Sequence, residues 1–197
     1  MQQGNIFVIS APSGAGKSSL VKALCEKDNK IQVSISHTTR KMRPGDIHGV
    51  HYFFVSHNEF EEMLTQNKFL EHAKVYDNFY GTHIDSIKKI QANGQDIILE
   101  IDNQGASQVK HIFPNAILIY ILPPNLDELK KRLINRNTDS NETIEKRLSQ
   151  AQKDISHAKE FDYIVINDNF ATALDELYSI IMVSRMKANT VLETYKF

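Results

Sequence analysis

Near the start of the chain, Ala11, Pro12, Ser13, Gly14, Ala15, Gly16, Lys17 and Ser18, followed by Ser19, have the types and spacing to grip a polyphosphate. They match the pattern G-x-x-x-x-G-K-[ST] at every fixed position but the first, where Ala11 replaces glycine. Gly14 and Gly16 let the backbone curl so that its N–H groups face phosphate oxygens beside a helix N-terminus. Lys17 would reach the β- and γ-phosphates, and the Ser18 hydroxyl would ligate Mg²⁺. The context agrees. The apolar run Ile6–Ile9 precedes the loop, and Lys17–Lys27 follows it with Leu20, Val21, Leu24 and Cys25 on one face.

A bound Mg²⁺ usually needs a carboxylate from a neighbouring strand. Glu100 and Asp102, at the end of the apolar run from Ile97, lie two apart and so point to one sheet face. A carboxylate inside such a run is costly unless paired or bound to a cation. The plainer role, capping the turn that follows, suits Asp102 better than Glu100.

Two groups of arginines could bind further phosphate. Arg40 and Arg43 lie three apart beside the turn Pro44-Gly45, and guanidinium forks suit a monophosphate. Arg132 and Arg136 share a helix face, with Arg147 further on, and could close over a transferred phosphoryl. On residue type alone, both groups read as well as solvated surface, the second with Glu128–Arg132 pairing. His48 and His51 have a ligand-like spacing, but no further His or Cys completes a metal site.

The elements that must position these groups follow from periodicity. Ile6–Ser10, Ile97–Ile101 and Ile117–Leu122 read as buried parallel strands, with Tyr163–Ile166 and Val33–Ser36 as weaker ones. Ser56 with Glu59 and Asn125 with Glu128 have capping-box spacing, Thr82 with Asp85 a weaker version, and that third helix should stop at Gly94. A long helical pattern runs from Ala171 to about Ala188. Strands alternating with helices predict an α/β, doubly wound fold. Two regions break the alternation: an aromatic, His- and Arg-rich stretch at about 37–82, which reads as a small mixed insertion, and a charged helical pair at about 126–158 around the polar turn Asn135–Asn141, both candidate flaps over a site at the carboxyl ends of the strands.

The chain has 197 residues, enough for one well-packed domain, and a net charge of −1, which argues against non-specific nucleic-acid binding. A single cysteine precludes an internal disulfide, and no apolar run approaches a membrane span. A soluble cytoplasmic protein is expected.

Taken in order, these motifs resemble guanylate kinases over nearly the whole chain. Ser10–Ser19 looks like their phosphate loop, in which alanine at the first position is familiar. Ser34–Arg40 with Arg43-Pro44-Gly45, Tyr52–Phe54, Phe69–Glu71, Phe79–Thr82 and Leu99–Asp102 resemble the acceptor-site motifs. Arg132, Arg136–Asp139 and Lys146–Leu148 resemble the lid, and Val165–Asp168 the last core strand.

The resemblance implies a P-loop NTPase three-layer fold with a parallel central sheet. The core would be about 1–35, 83–125 and 159–197, with a small mixed α/β GMP-binding insertion at about 36–82 and a helical lid at about 126–158. It implies ATP + GMP = ADP + GDP with Mg²⁺. Arg40, Arg43, Tyr52 and Tyr80 would hold the GMP phosphate; Ser36, Glu71 and Thr82 would face guanine, with Glu100 nearby. Lys17, Arg40, Arg136 and Arg147 would carry the transfer, Arg132 would serve ATP, and Asn167 would lie near adenine. Ser18, and Asp102 through water, would hold the metal. His72 and Asn137 depart from the family pattern. Donor preference, dGMP as an acceptor and oligomeric state stay open. A catalytically silent phosphopeptide-binding module is the alternative; a regulatory GTPase is disfavoured by the absent Asn-Lys-x-Asp motif.

Overall fold

In the computed structural model, residues 4–75, 77–135, 141–192 and 195 are described. The element order is β1 (Ile6–Ser10), α1 (Lys17–Lys27), β2 (Ile31–Val33), β3 (His37–Thr38), β4 (Phe53–Phe54), α2 (His57–Thr65), β5 (Phe69–Val75), β6 (Asn78–His83), α3 (Ile84–Ala92) and β7 (Asp96–Glu100). It continues through α4 (Asn103–Ile112), β8 (Ile117–Leu122), α5 (Leu126–Asn135), α6 (Asn141–Ser156), β9 (Tyr163–Ile166), α7 (Phe170–Arg185) and α8 (Ala188–Leu192).

One sheet is five-stranded and parallel, in the order β2-β7-β1-β8-β9. β1, β7 and β8 are buried along nearly their whole length, as consecutive aliphatic residues require when both faces are covered. β9, at the edge, buries only Val165. The strand expected at Val33–Ser36 falls earlier, at Ile31–Val33, because Ser34–Ser36 carry the chain from one sheet to another. Ser34 N–H still donates to Ile98 C=O at 2.9 Å, whereas Ser36 C=O accepts from Phe53 N–H at 2.9 Å.

The second sheet, β4-β3-β6-β5, is mixed: β3 runs parallel to β4 and antiparallel to β6, and β5 antiparallel to β6. It occupies the stretch where alternation broke down. Its core is aromatic, with Phe60 of α2 stacked on Phe69 at 4.5 Å and on Phe79 at 5.6 Å between ring centroids.

By contacts, the chain divides into two compact units. One contains Lys30–Ala116 with the stretch ending at Val8; the other contains Ile9–Asn29 and everything from Ile117. The second sheet lies wholly in the former, and the charged helical pair in the latter. α5 and α6 bury Leu129, Leu133, Ile144 and Ala151 against one another, with Leu148 packed alongside.

Helix starts follow local chemistry. Ser56 and Glu59 form the full capping box of α2, at 3.2 and 2.7 Å. Asn125 Oδ1 accepts from Glu128 N–H at 2.8 Å, but the Glu128 carboxylate turns to Arg132 instead of closing the box. Thr82 does not cap α3. His83 does so through Nδ1, accepting from Asp85 N–H at 3.1 Å, because Thr82 is still a fully buried strand residue. α3 ends before Gly94, which is left-handed at φ 67°. The last long helix stops at Arg185, three residues before the expected end. No helix among the described residues is long and apolar enough to cross a membrane.

Candidate active site

The phosphate-loop residues lie in the second unit, between β1 and α1. Gly14 and Gly16 take φ of 97° and 94°, the left-handed conformation that glycine adopts without strain. Gly16 is also the N-cap of α1, and no side chain caps that helix end. The first turn of α1 therefore presents backbone N–H groups where other helices place a Ser or Asp, an arrangement that suits an anion.

Both glycines are needed for space as well as for φ. A Cβ on Gly14 would come within 3.0 Å of Leu129 and 3.1 Å of Leu133 on α5. At Gly16 the corresponding space is taken by Asn167. The Asn167 amide, 5% exposed, donates to Ala15 C=O at 2.8 Å. Asn167, read from resemblance as an adenine neighbour, thus also braces the loop backbone.

The arginines of the helical pair differ in placement. Arg147 Nη1 donates to Ser13 Oγ at 3.3 Å, which brings it to the loop. Arg132 pairs with Glu128 at 3.1 Å, the plain pairing weighed above. Arg136 and Asn137 lie outside the described residues.

The expected acceptor residues lie in the first unit. Arg43–Asp46 make a turn with Pro44 and left-handed Gly45 at its centre, closed by Asp46 N–H donating to Arg43 C=O at 3.0 Å. This turn aims Asp46 back. Its Oδ2 accepts from Arg43 N–H at 2.7 Å and pairs with Arg40 Nη2 at 3.0 Å. The Asp46 carboxyl is held below its usual range, first by the Arg43 N–H, against the opposing effect of burial, and then by Arg40 and His51. Arg40 lies over the rings of Tyr52 and Phe54, 5.5 Å from each centroid.

Tyr52 and Tyr80 meet edge to face at 5.8 Å. The Tyr52 hydroxyl is pushed up to about 12, by burial first and then by Tyr80 and Glu100, so it stays a neutral donor at physiological pH. Arg40, Tyr52, Tyr80 and Glu100 are thus brought together. Arg43 joins through the turn, with its side chain exposed. Sequence reasoning missed Asp46. Its signal was the Pro-Gly-Asp turn directly after Arg43.

The other half of this region is Glu71. It faces Thr82 across the β5–β6 ladder, the two residues being register partners. Glu71 is 2% exposed and Thr82 fully buried, and Glu71 Oε1 and Thr82 Oγ1 both lack a hydrogen-bond partner among the described residues. Burial pushes the Glu71 carboxyl up to about 7; the nearby Thr82 hydroxyl and backbone N–H hold it down, while the Asp102 charge raises it. A buried acid and an unmet hydroxyl side by side are expensive unless a polar ligand completes them.

Asp102 caps α4. Its Oδ1 accepts from Gly105 N–H at 2.9 Å and its Oδ2 from the Gln104 amide at 3.1 Å. Ser36 is buried where the chain passes between sheets.

The guanylate kinase family model matches residues 3–184. A guanylate kinase of Hydrogenovibrio crunogenus is 53% identical over 182 residues, covering 92% of this chain and 89% of that protein. The guanylate kinase of Escherichia coli strain K12 is 50% identical over 189 residues, covering 95% and 91%. Among solved structures, guanylate kinase from Anaplasma phagocytophilum superposes with a TM-score of 0.78 at 30% identity, covering 95% of this chain and 89% of that one. An SH3-kinase fragment of tight junction protein 3, at TM-score 0.52 and 10% identity over 93% of this chain and 58% of its own, shares the fold alone.

Proposed function

This chain belongs to the guanylate kinase family, and from that premise we propose that it transfers the γ-phosphoryl group of ATP to GMP, releasing ADP and GDP. The observation that carries the choice of acceptor is Glu71, a buried carboxylate with an unmet oxygen beside an unmet Thr82 hydroxyl. Guanine offers N1–H and N2–H₂ side by side, and one carboxylate accepts from both. Adenine would turn its N1 acceptor toward that carboxylate, leaving two buried groups unpaired, a mismatch strong enough to reject it.

In this reading Arg40, Arg43, Tyr52 and Tyr80 hold the GMP phosphate. The Asp46 pair keeps the Arg40 guanidinium extended over Tyr52 for a two-pronged grip. ATP takes the phosphate loop through the N–H groups of Gly14 to Ser18, with Lys17 on the β- and γ-phosphates. The uncapped start of α1 supports that assignment. A GMP phosphate oxygen attacks the γ-phosphorus in line and the bond to the β-phosphate oxygen breaks, leaving ADP.

No side chain need take a proton from the nucleophile, because the acceptor oxygen is already anionic. Catalysis is then positioning and charge neutralisation, with Arg147 and Arg136 neutralising the transferred phosphoryl.

The chemistry here fits Mg²⁺ carried by the substrate. Among the described residues no group of three or more His, Cys, Asp or Glu could hold a metal by itself. A hydroxyl such as that of Ser18 plus phosphate oxygens is the hard-oxygen set magnesium prefers, and Asp102 would reach it through water. Bound there, the ion would neutralise charge on the β- and γ-phosphates.

The assigned base contacts make no use of the sugar 2′-hydroxyl, so dGMP belongs with GMP among the proposed acceptors. The single cysteine, which cannot form an internal disulfide, supports a reducing, cytoplasmic setting. The test is a panel of nucleoside monophosphates offered to the pure protein with Mg·ATP while ADP is followed. GMP and dGMP should turn over, and AMP, CMP and UMP should not. Comparable turnover of AMP would overturn the reading.

A further inference from the structure

The Glu71 carboxylate is an unlikely group to stay in place unaided. It is buried, partly unpaired, and borne on β5, the outermost strand of its sheet, whose far edge has no strand neighbour among the described residues. Helix α4 supplies what a neighbouring strand would have supplied. At His72, the residue next to Glu71, the backbone N–H donates to Gln108 Oε1 at 3.2 Å, and Gln108 Nε2 donates back to His72 C=O at 2.8 Å. This pair of bonds takes the place of the pair that two antiparallel strands exchange, made here by one side-chain amide. The same Nε2 donates to Gln104 C=O at 3.3 Å, one helical turn back, which fixes the rotamer.

The second contact is at Gly105, one turn from Gln108 on α4. Its backbone is ordinary helix, so the need for glycine is spatial. A Cβ there would collide with Glu71 Oε2, and would come within 3.2 Å of both Glu71 Cδ and Ile101 Cδ1. The carboxylate therefore occupies the space a side chain would fill. Asp102 holds the position of Gly105 by accepting its N–H. One helix thus ties the strand beside Glu71 and seats the carboxylate itself.

We propose that Gln108 and Gly105 are positioning residues for acceptor specificity: α4 is a rack that sets the height and direction of the Glu71 carboxylate against the purine. This rests on Glu71 being the group that reads guanine. With the amide removed, the strand edge is free to shift away from the helix. With a methyl at Gly105, the carboxylate must leave its seat. Either change misplaces the acceptor base and leaves the phosphate loop untouched.

The test compares Gln108→Met, which keeps length and loses the amide, and Gly105→Ala with Glu71→Gln and with Ser107→Ala on the exposed side of α4. KM for GMP, KM for ATP, kcat, and the preference for GMP over IMP, which lacks the 2-amino group, are measured for each. A misplacement near 1 Å costs up to about 100-fold, so Gly105→Ala should raise KM for GMP roughly 10- to 100-fold and Gln108→Met about 5- to 20-fold. KM for ATP should stay within about two-fold, and the GMP-over-IMP preference should shrink in both, but not in Ser107→Ala. Because the residues act through Glu71, Gln108→Met added to Glu71→Gln should cost little further preference.

Lower kcat with unchanged KM for GMP and unchanged preference would mean these residues only hold the fold together, and the proposal falls. Should Gly105→Ala fail to fold, Gln108→Met decides. If Glu71→Gln abolishes the preference and Gln108→Met leaves it intact, positioning fails alone. If Glu71→Gln itself leaves the preference intact, the guanine reading fails and takes this proposal with it.

Discussion

The two candidate sites are built from opposite materials. The phosphate loop is almost all backbone: two left-handed glycines, an uncapped helix start and one lysine, spanning a few consecutive residues. The acceptor region is almost all side chain, and its parts come from Ser36 to Asp102 across several strands and turns. The difference follows from what each must recognise. A polyphosphate offers the same anionic oxygens whatever nucleoside it carries, and a row of N–H groups suffices. A purine base is told from another by a few donors and acceptors on its edge, which only placed side chains can read. General gripping is therefore local in sequence, and discrimination is distributed.

That contrast breaks first at Lys17. Lys17→Ala should lower kcat by roughly 10²- to 10³-fold, the effect of losing one preorganised charge-stabilising donor, with whichever monophosphate is used. Steady-state rates with GMP and dGMP measure it; near wild-type turnover would remove Lys17 from the chemistry. Glu71→Gln should instead act on the acceptor. Losing charge-assisted hydrogen bonds of about 1.5–3 kcal/mol should lower kcat/KM for GMP roughly 10- to 100-fold while KM for ATP holds. Equal rises in both KM values would erase the division of labour between the regions.

The same contrast explains what could be read in advance. The loop was legible because its signal is contiguous: Ile6–Ile9, then Gly14, Gly16 and Lys17, then a helical face led by Leu20. β1 and β8, and more weakly β9, were legible as continuous apolar runs. The strands of the second sheet were not, because strands of two residues such as β3 and β4 carry no periodicity, and the sheet's aromatic core brings together Phe60, Phe69 and Phe79 from distant positions. Thr82 misled as a helix cap because it is the buried register partner of Glu71 on β6, a tertiary fact that local spacing does not contain. Arg40 and Arg43 were visible as candidates, but their partner Asp46 needed the turn to be built before its direction had meaning. The rack under Glu71 left no local trace, since Gln104, Gly105 and Gln108 look like any helical surface.

A smaller effect tests whether the acceptor region works as a placed set. Asp46→Ala removes the carboxylate that pairs with Arg40 and fastens the Arg43 turn. Partly exposed ion pairs contribute about 1 kcal/mol or less, so KM for GMP should rise roughly 3- to 5-fold with kcat nearly unchanged. Titrating GMP against Asp46→Ala checks this. An unchanged KM would show that Arg40 needs no such support.

The last effect is on stability without ligand, and its sign is the one burial imposes, opposite to that of most ion-paired acids. The Glu71 carboxyl has its folded pKa raised from an unfolded value of 4.5 to about 7. The folded protein therefore binds a proton the unfolded chain has already released between those values. Its contribution to stability is fully present below pH 4.5 and is lost as pH rises through 7, where folding must bury the charged form. Glu71→Gln removes that burden, so the ligand-free variant should be more stable than the parent at pH 8, by about 1–3 kcal/mol, and little different at pH 5. Thermal melts at the two pH values measure it. GMP should reverse the order at pH 8, because guanine supplies the two donors the carboxylate lacks and stabilises only the parent strongly. A variant that melts below the parent at pH 8 without nucleotide would mean that the carboxylate is satisfied within the fold, and that it waits for no base.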